Sequence, residues 1–173
     1  MKKEAVIFLD KDGTLVDNAG YPEKIPSDEL LDNIIEGLRY LQDKNYKLII
    51  ISNQPWISKN KLTKQEVEQI FSNLINKLNK QGIKILDYFY CPHQSSDNCN
   101  CKKPKPGLIH QAINKYNIDL NHSYIIGDMD SDIALAKNLG IPSILVLTGR
   151  GRDFMHLSSD YVIENINQVK EIL

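Results

Sequence analysis

Short apolar runs of strand length alternate along this chain with segments whose apolar residues recur at helical spacing. The runs are almost continuously apolar, which is typical of strands buried on both faces of a sheet. Strands are predicted at residues 4–9, 47–51, 86–90, 124–126 and 144–147. Helices are predicted between them, at residues 30–41, 66–78, 107–116 and 131–139. This alternation favours a doubly wound α/β fold, a Rossmann-like parallel sheet with helices on both faces.

Helix start signals precede the first two helical segments. Ser27, followed by acidic residues at 28 and 29, provides a cap and negative charge ahead of the first segment. Thr63 and Glu66 have the spacing of a capping box at the start of the second, and Gly82 is placed to end it in a left-handed conformation. We therefore expect both segments to be amphipathic helices.

The length and net charge of the chain indicate how many domains it has and what kind of ligand it binds. A length of 173 residues predicts one domain, residues 1–173, with a sizeable core. A formal net charge of −1 gives no basic field for nucleic acid or an anionic membrane, so a small ligand is expected. The first apolar run is too short for a signal peptide or a membrane span, which predicts a cytoplasmic protein. The sequence contains no heptad repeat, and a monomer is the expectation.

Two carboxylates lie two residues apart directly after the first predicted strand, in the sequence Asp10-Lys11-Asp12-Gly13-Thr14. A polar turn would explain Asp and Gly at these positions. The location at the carboxyl end of a buried strand, with polar residues after later strands, favours chemistry instead. One carboxylate can attack phosphorus while the second protonates the leaving oxygen and then activates water.

A further acidic cluster follows the fourth predicted strand. Asp128 is predicted to bind Mg²⁺ together with Asp10, because magnesium prefers a few carboxylates, substrate phosphate and water. Asp132 is predicted to support this metal site. Asp130 is interpreted as a helix-capping residue that complements the helix dipole.

The order Asp-x-Asp-Gly-Thr, Ser-Asn-Gln, Lys-Pro and Gly-Asp-x-x-x-Asp, over residues 10–132, resembles the four motifs of the haloacid dehalogenase superfamily. The resemblance implies a phosphatase. It makes Asp10 the nucleophile and Asp12 the general acid and base, with the backbone carbonyl of Asp12 as a magnesium ligand. It also makes Ser52 a hydrogen-bond donor to the substrate phosphate, Lys103 the charge stabiliser and Asp128 a magnesium ligand.

All three cysteines and one of four histidines fall within residues 91–101. Three thiolates and one imidazole form a closed tetrahedral zinc set, so a structural Zn²⁺ is predicted in this loop. The alternative is a polar loop with free cytosolic thiols. The predicted zinc ligands are Cys91, His93, Cys99 and Cys101.

The zinc loop and the Lys-Pro that follows it resemble a subgroup that contains heptose bisphosphate phosphatases and histidinol-phosphate phosphatases. Members of this subgroup lack a large cap domain, so none is expected in this chain. Gly20-Tyr21 and the segments 103–107 and 147–151 favour the heptose 1,7-bisphosphate branch, and histidinol phosphate is the alternative substrate. The resemblance implies a small sugar phosphate as the ligand. The residues predicted to contact it are Asn53, Gln54 and Lys102.

The chain departs from the family pattern after the second strand, where it reads Asn53-Gln54-Pro55-Trp56. Pro55 removes a backbone donor, and Trp56 could either stack on a sugar ring or pack in the protein. If this change has closed the pocket, the chain would be a zinc-stabilised binding protein on an inactive phosphatase scaffold. The intact set of catalytic residues favours an enzyme.

Overall fold

The computed structural model of the protein describes residues 3–17 and 27–173, so Gly20 and Tyr21 lie outside the described residues. The strands are β1 (Val6–Leu9), β2 (Lys47–Asn53), β3 (Ile85–Cys91), β4 (Tyr124–Gly127), β5 (Ser143–Val146) and β6 (Tyr161–Ile163). The α-helices are α1 (Ile35–Asp43), α2 (Lys64–Lys80), α3 (Gly107–Lys115) and α4 (Asp130–Leu139). Strands and helices alternate as the hydrophobic pattern predicts.

The six strands form one parallel sheet in the order β3-β2-β1-β4-β5-β6. Strand β1 lies between β2 and β4, with Phe8 opposite Ile49 on one side and Ile125 on the other. The carboxyl ends of these three strands therefore meet at one edge of the sheet. This arrangement confirms the predicted doubly wound fold.

The core has two layers, one on each face of the sheet, because successive side chains of a strand point to opposite faces. Ile7 and Leu9 pack on the face covered by α1 and α2, whereas Val6 and Phe8 pack on the face covered by α3 and α4. All four side chains are fully buried. The first strand is thus buried on both faces, and this explains its continuous apolar run.

Helix α2 begins at the predicted capping box. The Thr63 hydroxyl accepts a hydrogen bond from the Glu66 backbone N–H, and the Glu66 carboxylate accepts one from the Thr63 backbone N–H. Gly82, just beyond the helix, has the expected positive φ of 79°. None of the helices in the described part of the chain is long and apolar enough to cross a membrane.

Helix α1 begins later than predicted, at Ile35 rather than near Leu30. The backbone of Leu30 pairs with Val16 in an isolated bridge, and Asn33 takes a left-handed φ of 60°, which no α-helix contains. The Ser27 hydroxyl accepts a hydrogen bond from the Glu29 N–H, so it caps a turn and not the helix. The apolar spacing was correct for the second half of the segment only.

Strand β6 was not predicted. It has three residues and pairs with β5 on one side only, at the edge of the sheet. Tyr161 and Val162 are exposed, and a run this short carries too little periodicity to be recognised from the sequence.

Candidate active site

Asp10 lies directly beyond the carboxyl end of β1, and its backbone N–H donates to the Ile126 carbonyl at 2.9 Å. The chain then turns sharply at Gly13, whose φ of 84° favours glycine. The turn is closed by a hydrogen bond from the Gly13 N–H to the Val16 carbonyl at 2.8 Å. The carboxylates of Asp10 and Asp12 consequently contact different partners, as two separate roles would require.

The Asp10 carboxylate is held by Lys103, which arrives from the far end of the zinc loop. The Lys103 Nζ lies 2.6 Å from Asp10 Oδ1 and 2.7 Å from Asp132 Oδ1. It also donates to the Ile51 carbonyl at 3.1 Å. Lys103 is only 3% exposed, so its charge is almost completely shielded from water and acts at short range.

The buried charges change one another's ionisation. Burial raises the pKa of Asp10 above its ordinary value, and the Lys103 ammonium opposes this effect. Burial disfavours the charged form of Lys103, but Asp10 and Asp132 outweigh it and raise the pKa of Lys103. The lysine is therefore a permanent cation beside the Asp10 carboxylate.

Asp128 supplies an unpaired buried oxygen to the same cluster. Its Oδ2 accepts a hydrogen bond from the Arg150 backbone N–H at 2.8 Å, whereas its Oδ1 is buried and has no hydrogen-bond partner among the described residues. Burial, followed by the neighbouring Asp10, raises the pKa of Asp128 well above its ordinary value. An unsatisfied carboxylate oxygen is costly in this environment unless a ligand engages it.

Carboxylate oxygens of Asp10, Asp128 and Asp132 all lie within 4.8 Å of one another. This donor set of hard oxygens fits a divalent cation such as Mg²⁺. Asp132 is already engaged, because its Oδ1 pairs with Lys103 and its Oδ2 accepts from the Met129 N–H at 3.2 Å. Its role in support of a metal site stays a prediction. Asp130 is exposed at the start of α4.

The Asp12 carboxylate is held from two sides. Lys11 Nζ lies 2.5 Å from its Oδ1, and Gln54 Nε2 lies 2.6 Å from its Oδ2. The same Gln54 nitrogen donates to the Ser52 hydroxyl at 2.9 Å. Burial raises the pKa of Asp12 and the Lys11 ammonium lowers it, with a net rise. A raised pKa suits a group that must carry a proton in one step and accept one in the next.

Lys11 is the contact that sequence reasoning missed. It is fully buried, and its Nζ donates to the Ser27 carbonyl at 3.0 Å as well as to Asp12. A lysine in a polar turn is ordinarily solvated, so its type and position gave no signal.

The three residues predicted to contact substrate differ in their placement. Gln54 is 1% exposed and bonded to Asp12 and Ser52. Asn53 bonds to the backbone of Lys103, and Lys102 is half-buried at the end of the zinc loop. Their assignment as substrate contacts stays a prediction.

The predicted zinc ligands converge after β3. The Cys91 sulfur lies 3.5 Å from His93 Nδ1, 3.5 Å from the Cys99 sulfur and 3.1 Å from the Cys101 sulfur. All four ligand atoms lie within 4.8 Å of one another. These spacings approach the edge of a tetrahedron with Zn–S bonds of about 2.3 Å. The cluster could therefore hold one metal ion.

The thiols of this cluster differ in ionisation. Burial raises the pKa of the Cys91 thiol. Burial also acts against ionisation of Cys99, but hydrogen bonds, first from the Lys102 backbone N–H, lower its pKa to about 6. One thiolate is thus available near neutral pH, and metal binding would release the remaining thiol protons.

Trp56 packs within the protein. Its side chain is 4% exposed, with the Lys59 and Lys61 Nζ atoms 5.5 Å and 5.6 Å from its ring centroid. Of the two alternatives left open by the sequence, packing is the one observed.

Comparison with known proteins gives concordant matches. Residues 100–169 match the family model described as HAD-hydrolase-like. D-glycero-alpha-D-manno-heptose-1,7-bisphosphate 7-phosphatase of Photorhabdus laumondii is 38% identical over 155 residues, which cover 85% of each chain. The bifunctional histidine biosynthesis protein HisB of Actinobacillus pleuropneumoniae is 34% identical over 144 residues, covering 82% of this chain and 40% of that protein.

This chain is similar in structure to D,D-heptose 1,7-bisphosphate phosphatase from B. bronchiseptica, whose crystal structure is complexed with magnesium and phosphate. The two structures compare with a TM-score of 0.87, and their sequences are 24% identical. The match covers 96% of both chains. At this level of identity the similarity supports the fold.

Proposed function

Because the chain belongs to the haloacid dehalogenase-like phosphatases, we propose that it removes the 7-phosphate of D-glycero-D-manno-heptose 1,7-bisphosphate. The observation that carries the proposal is the buried Lys103 ammonium against Asp10, beside the unpaired oxygen of Asp128. This arrangement offers a nucleophile, a fixed positive charge and a place for a cation at one point. The 38% identity to a named heptose bisphosphate phosphatase supports the substrate.

The reaction divides into two steps between two carboxylates. In the first, Asp10 attacks phosphorus, the bond to the leaving sugar oxygen breaks, and Asp12 donates its proton to that oxygen. In the second, Asp12 takes a proton from water, which attacks phosphorus and releases phosphate from Asp10. Lys103 neutralises charge on the phosphoryl oxygens in both steps, and the Ser52 hydroxyl is positioned to donate to one of them.

The residues that would hold magnesium are Asp10, Asp128 and the backbone carbonyl of Asp12, with Asp132 supporting them. The unpaired Asp128 Oδ1 supports this assignment, because a cation there would satisfy a buried anionic oxygen. When bound, Mg²⁺ neutralises phosphate charge and allows one anion to approach another. Lys103 alone faces two carboxylates, so it cannot offset all the negative charge of the cluster.

We expect Mg²⁺ to raise the melting temperature more at about pH 8 than at about pH 5.5. In the metal-free protein the pKa values of Asp10 and Asp128 are raised, so their stability contribution is present below the unfolded pKa of about 3.9 and is lost as pH rises through the folded value. Binding of a cation to the ionised groups recovers that loss. Thermal melts with and without Mg²⁺ at both pH values measure it.

Asp128→Asn should remove most of the magnesium-dependent increase, whereas the exposed Asp130→Asn serves as the matched control and should keep it. An equal increase at both pH values in the wild type would contradict the assignment of the buried carboxylates to the metal.

We further propose that the cluster of Cys91, His93, Cys99 and Cys101 binds a structural Zn²⁺. Four protein ligands leave no open position for water, so this metal would order the loop and not take part in hydrolysis. The loop leads directly to Lys103, and the Lys102 backbone N–H donates to the Cys99 sulfur at 3.4 Å. Zinc would thus fix the segment that delivers the catalytic lysine.

Cys99→Ser and Cys101→Ser should each lower zinc content and reduce phosphatase activity while magnesium binding survives. The expected stability loss is a few kcal/mol, below the roughly 10 to 16 kcal/mol of small zinc peptides, because the sheet is formed largely without this loop. Elemental analysis and activity are measured together, with the exposed loop variant Ser96→Ala as control. Full activity in protein shown to lack zinc would contradict the proposal that zinc positions Lys103.

A substrate panel tests the proposed function directly. We expect the highest kcat/KM for heptose 1,7-bisphosphate, with histidinol phosphate and p-nitrophenyl phosphate well below it. The similarity to the bifunctional histidine biosynthesis protein makes histidinol phosphate the second candidate, and a preference for it would reverse the ranking. No turnover of any phosphomonoester by folded, metal-loaded protein would favour the binding-protein alternative.

A further inference from the structure

The side chain of Asn53 makes a reciprocal pair of hydrogen bonds with the backbone of Lys103. Its Oδ1 accepts from the Lys103 N–H at 2.9 Å, and its Nδ2 donates to the Lys103 carbonyl at 3.1 Å. The two residues are 50 positions apart in the chain. One amide therefore satisfies both backbone groups of the residue that carries the active-site ammonium.

We propose that Asn53 is a positioning residue whose amide fixes the backbone of Lys103, so that the ammonium stays against Asp10. This inference rests on the proposed phosphatase function and deepens it, because it assigns to Asn53 a role toward Lys103 in place of a contact with the substrate.

Strand β2 supports both ends of the lysine. The Lys103 Nζ donates to the carbonyl of Ile51, and the Lys103 backbone pairs with Asn53 two residues further along the same strand. Strand β2 is itself paired with β3 and β1, so both contacts are made to a strand held within the sheet. Both ends of Lys103 are thereby held by the same sheet that carries Asp10.

A lysine in this position needs an external support. Its long stem is flexible, and Lys103 lies in neither a strand nor an α-helix. Without a fixed backbone, the ammonium could reach Asp10 from several stem conformations, only some of which also reach Asp132 and Ile51. Asn is the residue that offers one acceptor and one donor on a short, stiff side chain, so it matches a backbone N–H and C=O together.

The proposal predicts how much each of several variants lowers kcat. Asn53→Ala removes both hydrogen bonds and should lower kcat for p-nitrophenyl phosphate about 10- to 100-fold, as expected for a misplaced catalytic group. Asn53→Asp keeps the acceptor for the Lys103 N–H but sets a carboxylate oxygen against the Lys103 carbonyl, so it should also lower kcat and not restore the wild-type value. Asn138→Ala is the matched control, because the Asn138 amide donates at 3.1 Å to the carbonyl of the next residue, Pro104, from an exposed site. We expect it to stay within about twofold of wild type.

A double-mutant cycle with Lys103→Met separates positioning from substrate contact. The second readout is the affinity of the magnesium-loaded protein for inorganic phosphate, measured by calorimetry. If Asn53 acts through Lys103, Asn53→Ala weakens phosphate binding in the wild-type background and has no further effect in the Lys103→Met background. Equal weakening in both backgrounds would mean a direct contact with the ligand and would overturn the proposal.

One measurement and one further variant guard the cycle against misfolding. Zinc content must be unchanged in Asn53→Ala, which shows that the loop before Lys103 is still folded. Lys103→Gln provides a second background if Lys103→Met does not fold. Failure of the proposed function gives a different result, since the wild type would then hydrolyse no phosphomonoester although the phosphate-binding cycle could still be measured.

Discussion

Asp10→Asn should abolish phosphoenzyme formation and lower phosphatase activity by at least about 10⁴-fold. An amide is a very poor nucleophile toward phosphorus, and Asp12, the other carboxylate that follows β1, is held by Lys11 and Gln54. The substitution is nearly isosteric, and the Asn oxygen can still accept from Lys103, which now lies 2.6 Å from Asp10 Oδ1. The fold should therefore survive while the chemistry is lost. Rapid-quench labelling with phosphate-labelled substrate measures the intermediate.

Asp130→Asn is the control for this experiment, because Asp130 is an exposed carboxylate at the start of α4 that accepts a local hydrogen bond from the Ser131 N–H at 2.8 Å. It should label at the wild-type rate. Formation of a stable aspartyl-phosphate at full rate in the Asp10→Asn protein would disprove the assignment of the nucleophile.

Asp12→Asn should lower turnover about 10²- to 10⁴-fold while substrate and metal binding are largely retained. The loss should depend on the leaving group. p-Nitrophenolate can leave without being protonated, whereas a sugar alkoxide must be protonated as it leaves. With p-nitrophenyl phosphate we therefore expect the Asp12→Asn protein to phosphorylate Asp10 faster than it does with the sugar phosphate. Hydrolysis of the aspartyl-phosphate should be slow, because no group takes the proton from water, and the phosphoenzyme should accumulate.

Quench-flow measurements with both substrates separate the two steps. Equal losses for the two leaving groups, with no accumulation of phosphoenzyme, would contradict the assignment of Asp12 as acid and base. Asp130→Asn, at the exposed carboxylate that begins α4, is the matched control and should leave both steps unchanged.

Local patterns predicted most of the fold, and the exceptions have physical causes. Apolar runs identified five of the strands, and the run is continuous in β1, which helices cover on both faces. The start of α1 was wrong because Asn33 adopts a left-handed conformation that apolar spacing does not report. Strand β6 has only three residues, fewer than a period-2 pattern needs.

The location of the candidate site followed from topology. The carboxyl ends of β1, β2 and β4 had to meet because the three strands are parallel neighbours, and this brings Ser52, near the end of β2, beside Asp10 and Asp128, which follow β1 and β4. The partners of each side chain could not be read from the sequence. Lys11 and Asn53 contact Asp12 and Lys103 through geometry that depends on rotamers and on loop paths, for which the chain offers no periodic signal.

The central position of β1 has a consequence for a growing polypeptide. Asp10 is made early, but its partner Lys103 is 93 residues further along, and β4, the neighbour that carries Asp128, comes later still. Because β1 must be flanked by both β2 and β4, the nucleophile has no complete surroundings until about three quarters of the chain has emerged from the ribosome. Such long-range parallel pairing is slow to form. A nascent or truncated chain that ends before β4 would expose the apolar edge of β1 to chaperones and would carry no competent phosphatase.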